Sequence, residues 1–165
     1  MISQKRVLVN DRPVAVASRE VSERDRITIT EELPELTIIR ETPEWIAVDK
    51  PAGMPTQPTR DRITRSLEEW LRIRYRDVFL VHRIDTQTTG VVVFARTRAA
   101  AAELSSLFAS REIAKTYLAV AEGTIDHELT IESPIGGKDA HTVVRPLQQR
   151  DGTTLVEARI RTGRT

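Results

Sequence analysis

The chain contains no cysteine, which excludes disulfides and thiolate metal sites. Histidine is nearly as scarce. His82, His127 and His141 lie far apart, without the spacing of a metal centre, so no metal is expected. No apolar run is long enough to cross a bilayer, and Met1–Arg6 is not followed by the apolar stretch of a signal peptide. Neither an internal repeat nor a low-complexity tract is present. Charge of one sign is not in excess either, with 25 Lys and Arg against 24 Asp and Glu and a net charge of +1. What is there suits a folded, soluble protein, with 39% hydrophobic and 30% charged residues. A chain of 165 residues can bury one core, or one domain with a small appendage.

The charge is unevenly spread. Residues 20–44 hold eight acids against three arginines, whereas residues 60–83 hold seven arginines against four acids. Of the 25 basic residues 21 are arginine, whose planar fork suits phosphate. A basic zone leading into Asp85 suits an RNA backbone. Mixed with Glu68, Glu69 and Asp77, the same arginines also suit a solvated helix face.

The hydrophobic patterning predicts an α+β fold, with a mixed, mainly antiparallel sheet and two helices packed against it. Residues 1–32 form a β-rich segment in which Val7/Val9, Val14/Val16 and Ile27/Ile29 alternate, with a turn at Asn10–Pro13. Leu33–Glu35 reads as a linker, and the main domain covers 36–165. Strands are expected at 36–40 and 45–48. Pro51, Gly53, Pro55 and Pro58 then force a loop. Ser66 can cap a helix bearing Leu67, Trp70 and Leu71, and Thr97 a second one bearing Ala100, Leu104, Leu107 and Phe108. Between them, 79–84 is a strand leading into a turn at Asp85, and 91–95 is a buried strand. Further strands are expected at 113–121, 129–131, 142–147 and 153–160, with turns at Gly136-Gly137 and Asp151-Gly152.

The segment His82-Arg83-Ile84-Asp85-Thr86-Gln87-Thr88-Thr89-Gly90 carries the chemistry. It puts a carboxylate beside an Arg and a His at a strand–turn–strand junction. There the acid can stay ionised and face a ligand, although a turn Asp among solvated charges is the plainer reading. The string resembles the catalytic motif of the RluA family of RNA pseudouridine synthases, H-R-[LI]-D-x-x-T-[ST]-G. Three further stretches resemble that family in order. Asp49–Pro58 is similar to its first motif, K-P-x-G. Lys115-Thr116-Tyr117 is similar to its K-x-Y segment. Thr162-Gly163-Arg164-Thr165 is similar to the opening of its last motif, T-G-R-[ST]-H-Q-[IL]-R.

The resemblance implies a pseudouridine synthase catalytic fold and an isomerase acting on ribosomal or transfer RNA in the cytoplasm. Such a reaction needs no redox cofactor, nucleoside triphosphate or metal, so no cofactor is expected. Asp85 is the implied catalytic carboxylate, with two roles open to it: adding to the sugar, or taking a proton from C2′. Tyr117 is implied as the ring that stacks on uracil and joins proton transfer, against a plainer reading as a core residue of the sheet. Arg83 is expected to bind phosphate or to fill the gap left by a flipped base. Lys50 is expected to contact backbone phosphate or to form a surface ion pair. Arg164 is the remaining basic candidate for RNA binding. His82, Thr88 and Gly90 are expected to support the turn.

The V-x-V-N-x-R-P-V pattern near the start resembles the end of an S4-type RNA-binding domain. The chain stops within the last motif, before the Arg that pairs with the catalytic Asp in the family. The expectation is therefore a catalytic domain incomplete at its C-terminus, poorly stable and weakly active by itself. The alternative is a non-catalytic RNA-binding module derived from such an enzyme.

Overall fold

A computed structural model describes residues 7–10, 12–14, 16, 18–29, 35–59 and 65–161. The chain divides into two compact units, Met1–Ser105 and Ser106–Thr165. The first holds β1 (Val7–Val9), β2 (Arg12–Pro13) and β3 (Ile27–Ile29) in a small sheet of order β2-β1-β3. It also holds β4 (Thr37–Glu41), β5 (Trp45–Lys50), α1 (Leu67–Arg74), β6 (Phe79–Leu80) and β7 (Gly90–Ala95), with sheet order β4-β5-β7-β6. The unit boundary falls inside α2 (Arg98–Ala109). The second unit is a sheet of β8 (Lys115–Glu122), β9 (Leu129–Ile131), β10 (Thr142–Arg150) and β11 (Thr153–Ile160), ordered β8-β11-β10-β9. The α+β class with two helices holds. The expected single mixed sheet is replaced by three sheets, and every strand pair among the described residues is antiparallel. No helix among the described residues is long and apolar enough to cross a membrane.

The core of the first unit follows from strand alternation. Ile46 pairs with Phe94 and Val48 with Val92, and all four side chains are fully buried on one face. Lys50 is the next residue in phase with Ile46 and Val48, opposite Gly90, so it too falls on the inward face. Ser66 caps α1 in a capping box with Glu69, and Leu67, Trp70, Leu71 and Ile73 are buried. Each of these four contributes about 1.5–3 kcal/mol by leaving water. Tyr75 ends the helix in an extended conformation, and its hydroxyl donates to Glu41 Oε2 at 2.8 Å. Burial and that bond raise the Tyr75 hydroxyl above the ordinary tyrosine pKa.

Of the expected strands that change, three have a clear cause. In place of the one expected at Val14–Val16, the strand lies earlier, as β2, where Arg12 pairs with Val9 and Pro13 with Leu8. The strand at 142–147 runs on to Arg150, because a bulge at Pro146–Gln148 absorbs the proline and lets pairing resume. Asp151 (φ 51°) and Gly152 (φ 74°) then close a two-residue hairpin of the kind that needs two left-handed residues. The strand at 79–84 stops after Leu80, for a reason that lies in the site. The expected linker falls largely outside the described residues.

Candidate active site

β6 pairs with β7 only at Phe79–Ala95 and Leu80–Phe94. The next amide on β7, Val93 N–H, donates instead to His82 Nε2 at 2.9 Å. The imidazole replaces a ladder carbonyl, which frees the chain from Val81 onward to leave the sheet. His82 thus fixes where the segment departs from β7. The turn is closed by Thr88 N–H donating to Asp85 O at 3.1 Å. Gly90 starts β7 at φ +121°, a conformation that side-chain-bearing residues rarely adopt. Along this segment Arg83 and Asp85 are exposed and Ile84 is buried.

The proline-rich loop after β5 lies against the backbone of this turn. Gly53 N–H donates to Thr86 O at 2.9 Å. Thr56 Oγ1 donates to Ile84 O at 2.7 Å and accepts from Ile84 N–H at 3.2 Å. The loop is gripped in turn by the first turn of α1, where Leu67 N–H donates to Pro55 O and Glu68 N–H to Thr56 O.

Lys50 completes the arrangement from below. It is 0% exposed, and its Nζ donates to Pro51 O (2.9 Å), Met54 O (2.6 Å) and Thr86 O (3.0 Å). All three ammonium protons are therefore used on carbonyls. This corrects the expectation for Lys50. An ammonium enclosed in this way reaches neither an RNA phosphate nor a surface acid. Burial lowers its pKa, and the negative charge of Asp85 opposes that shift. The lysine is thus a buried cation near the Asp85 carboxylate.

A cleft of about 330 Å³ opens here, lined by Pro55–Thr59 and Arg83–Thr86. That volume is at the small end of the ligand-pocket range of about 300–1,000 Å³. Among the described residues the Asp85 carboxylate accepts no hydrogen bond, while both its neighbours are held by their backbones. A carboxylate so placed is available to a ligand as a base or a nucleophile.

Asp85 and Arg83 therefore share one cleft. Tyr117 belongs to the second unit. It is half-buried on β8 opposite Ala158, on the sheet face shared by Val144 and Val156. Thr88 supports the turn through its backbone N–H. Arg164 and the T-G-R-T stretch lie outside the described residues. Sequence reasoning missed Thr56, whose only signal was a lone hydroxyl between prolines. It also missed Gln57, which lines the cleft.

Comparison with known proteins identifies the family. A family described as RNA pseudouridylate synthase matches residues 44–165. The uncharacterized RNA pseudouridine synthase YhcT of Bacillus subtilis is 30% identical over 169 residues, covering 88% of this chain and 56% of that protein. Ribosomal large subunit pseudouridine synthase D of Neisseria meningitidis is 30% identical over 195 residues, covering 99% and 52%. The chain thus spans about half the length of these curated relatives. Among solved structures, human RNA pseudouridylate synthase domain containing 1 superposes with a TM-score of 0.67 at 23% identity, covering 81% of this chain and 62% of that one. At that identity the likeness speaks for the fold.

Proposed function

Because the chain belongs to the RNA pseudouridylate synthase family, we propose that the protein isomerises uridine to pseudouridine in RNA, with Asp85 as its catalytic carboxylate. The reaction breaks the N1–C1′ bond, turns the base and forms C5–C1′. The C5 proton is lost and N1 gains one, so the atoms balance without a co-reactant. Positive character on the ribose is the hard part, and a carboxylate is the group that meets it, by addition to the sugar or by taking a C2′ proton.

The single observation that carries the reading is the Asp85 carboxylate itself, facing a cleft from a backbone clamped on both sides and accepting no hydrogen bond among the described residues. Arg83, on the cleft wall, serves phosphate or the space of the flipped base. Tyr117 supplies the stacking ring and Arg164 a further phosphate contact. Ribosomal RNA is the favoured substrate, by likeness to a relative named for the large ribosomal subunit, and the cytoplasm is the corresponding place of work.

The test is tritium release from ribosomal RNA labelled at uridine C5, using the protein as the cell makes it. Asp85→Asn keeps shape and removes basicity. It is expected to lower release by about 10²-fold or more while RNA affinity stays near wild type. Unchanged release by Asp85→Asn refutes the assignment. RNA binding without release in the wild type would favour a non-catalytic RNA-binding module.

A further inference from the structure

The hydroxyl of Thr56 contacts both backbone polar groups of the residue that precedes Asp85. It donates to Ile84 O at 2.7 Å and accepts from Ile84 N–H at 3.2 Å. Thr56 is 3% exposed and Ile84 9%, so water is a poor substitute for either bond. One oxygen thereby sets the planes of the two peptide groups flanking Ile84, the second of which carries Asp85. On the far side, Thr86 O accepts from Lys50 Nζ and Gly53 N–H. Thr56 is itself held by α1, whose Glu68 N–H donates to Thr56 O at 3.1 Å. A line of hydrogen bonds therefore runs from the first turn of a helix, through one threonine, to the residue beside the carboxylate.

We infer that Thr56 is a positioning residue for Asp85, acting through the Ile84 backbone, an inference that rests on the synthase reading above. The hydroxyl touches neither base nor sugar in this role. Its contribution is to hold the carboxylate where the ribose of a bound uridine must come. A displacement of an ångström at that point slows the reaction far more than it weakens binding. RNA affinity draws on phosphate contacts spread over other residues.

Thr56→Val is nearly isosteric and removes both bonds, leaving a buried N–H and C=O unsatisfied. Thr56→Ser keeps the oxygen and loses only the methyl. Tritium release is measured in wild type, both variants and Asp85→Asn, alongside hydrogen exchange at the Ile84 amide. Thr56→Val is expected to lower kcat by about 10–100-fold, with KM within about twofold of wild type, and Thr56→Ser to recover most of the loss. The Ile84 amide should exchange at least about tenfold faster in Thr56→Val than in Thr56→Ser.

Several results overturn the inference. A Thr56→Val enzyme with wild-type kcat, beside an inactive Asp85→Asn, ends the positioning role and leaves the synthase reading standing. A raised KM at unchanged kcat ends it too. Equal release by wild type and Asp85→Asn would remove Asp85 as the catalytic carboxylate, and no release by the wild type would remove the synthase reading. The clamp would then stand or fall on the Ile84 exchange rate, and equal rates in the two Thr56 variants refute it.

Discussion

A lysine beside a proline-rich loop is ordinarily a surface residue, because an ammonium loses hydration on burial. Lys50 stays inside because three carbonyls meet its three protons and Asp85 lies near enough to favour the charge. The balance is still unfavourable to the charge, and its pKa lies below the ordinary 10.5. The sign of the pH dependence follows. Between the folded pKa and 10.5 the unfolded chain holds the Lys50 proton more often than the folded one does. Lys50 therefore adds stability as pH rises through that window, and its full burial cost is felt below it. A 13Cε titration of Lys50 should give a midpoint under 10.5, and a midpoint at or above that value counts against the enclosure. Lys50→Met strands the Pro51 and Met54 carbonyls and should cost about 2 kcal/mol in denaturant unfolding. It should also abolish the rise in stability that Lys50 produces within that window.

At the scale of elements, α1 does more than bury an apolar stripe. Its N-terminal amides are shared between the Ser66 cap and the loop carbonyls of Pro55 and Thr56. Helix termini always leave such donors over, and here the site-forming loop takes them. Ser66→Ala removes the cap hydroxyl at a fully buried position and should lower unfolding free energy by about 1 kcal/mol. Because the same turn holds the loop, hydrogen exchange should also quicken at the Gly53 and Ile84 amides. Quickening confined to α1 would show that cap and site are independent. The helix and its cap were legible from Ser66 and the spacing of Leu67, Trp70 and Leu71, whereas the part Glu69 plays in the cap was not. The early end of β6 was not legible, because it depends on an imidazole eleven residues away accepting a backbone N–H of β7.

For the molecule as a whole, the two units present different surfaces. On β8, Leu118 and Val120 are 69% and 70% exposed, on the opposite sheet face from Tyr117. Among the described residues β8 pairs only with β11, so it is also an edge strand. An apolar edge of this kind invites pairing with other chains. Leu118→Lys combined with Val120→Lys should reduce light scattering of the 165-residue chain at high concentration without lowering its melting temperature. Equal scattering would place the self-association elsewhere. The division at Ser105–Ser106 was also not legible, since it falls inside one uninterrupted helical pattern.

The sequence by itself determined what short-range chemistry determines. Apolar patterning marked β4, β5, β7 and the long hairpin. Caps marked both helices, and the His82–Gly90 string marked Asp85 as the candidate acid. For Lys50 it offered only a phosphate contact or a surface ion pair. Only the tertiary structure decided what that lysine does, because its acceptors include Thr86, 36 residues away in the chain. The same holds for Thr56 and Ile84, which are 28 residues apart. Hydrogen bonds across such distances depend on how loop, helix and strand come together, and no local pattern of residue types encodes that geometry.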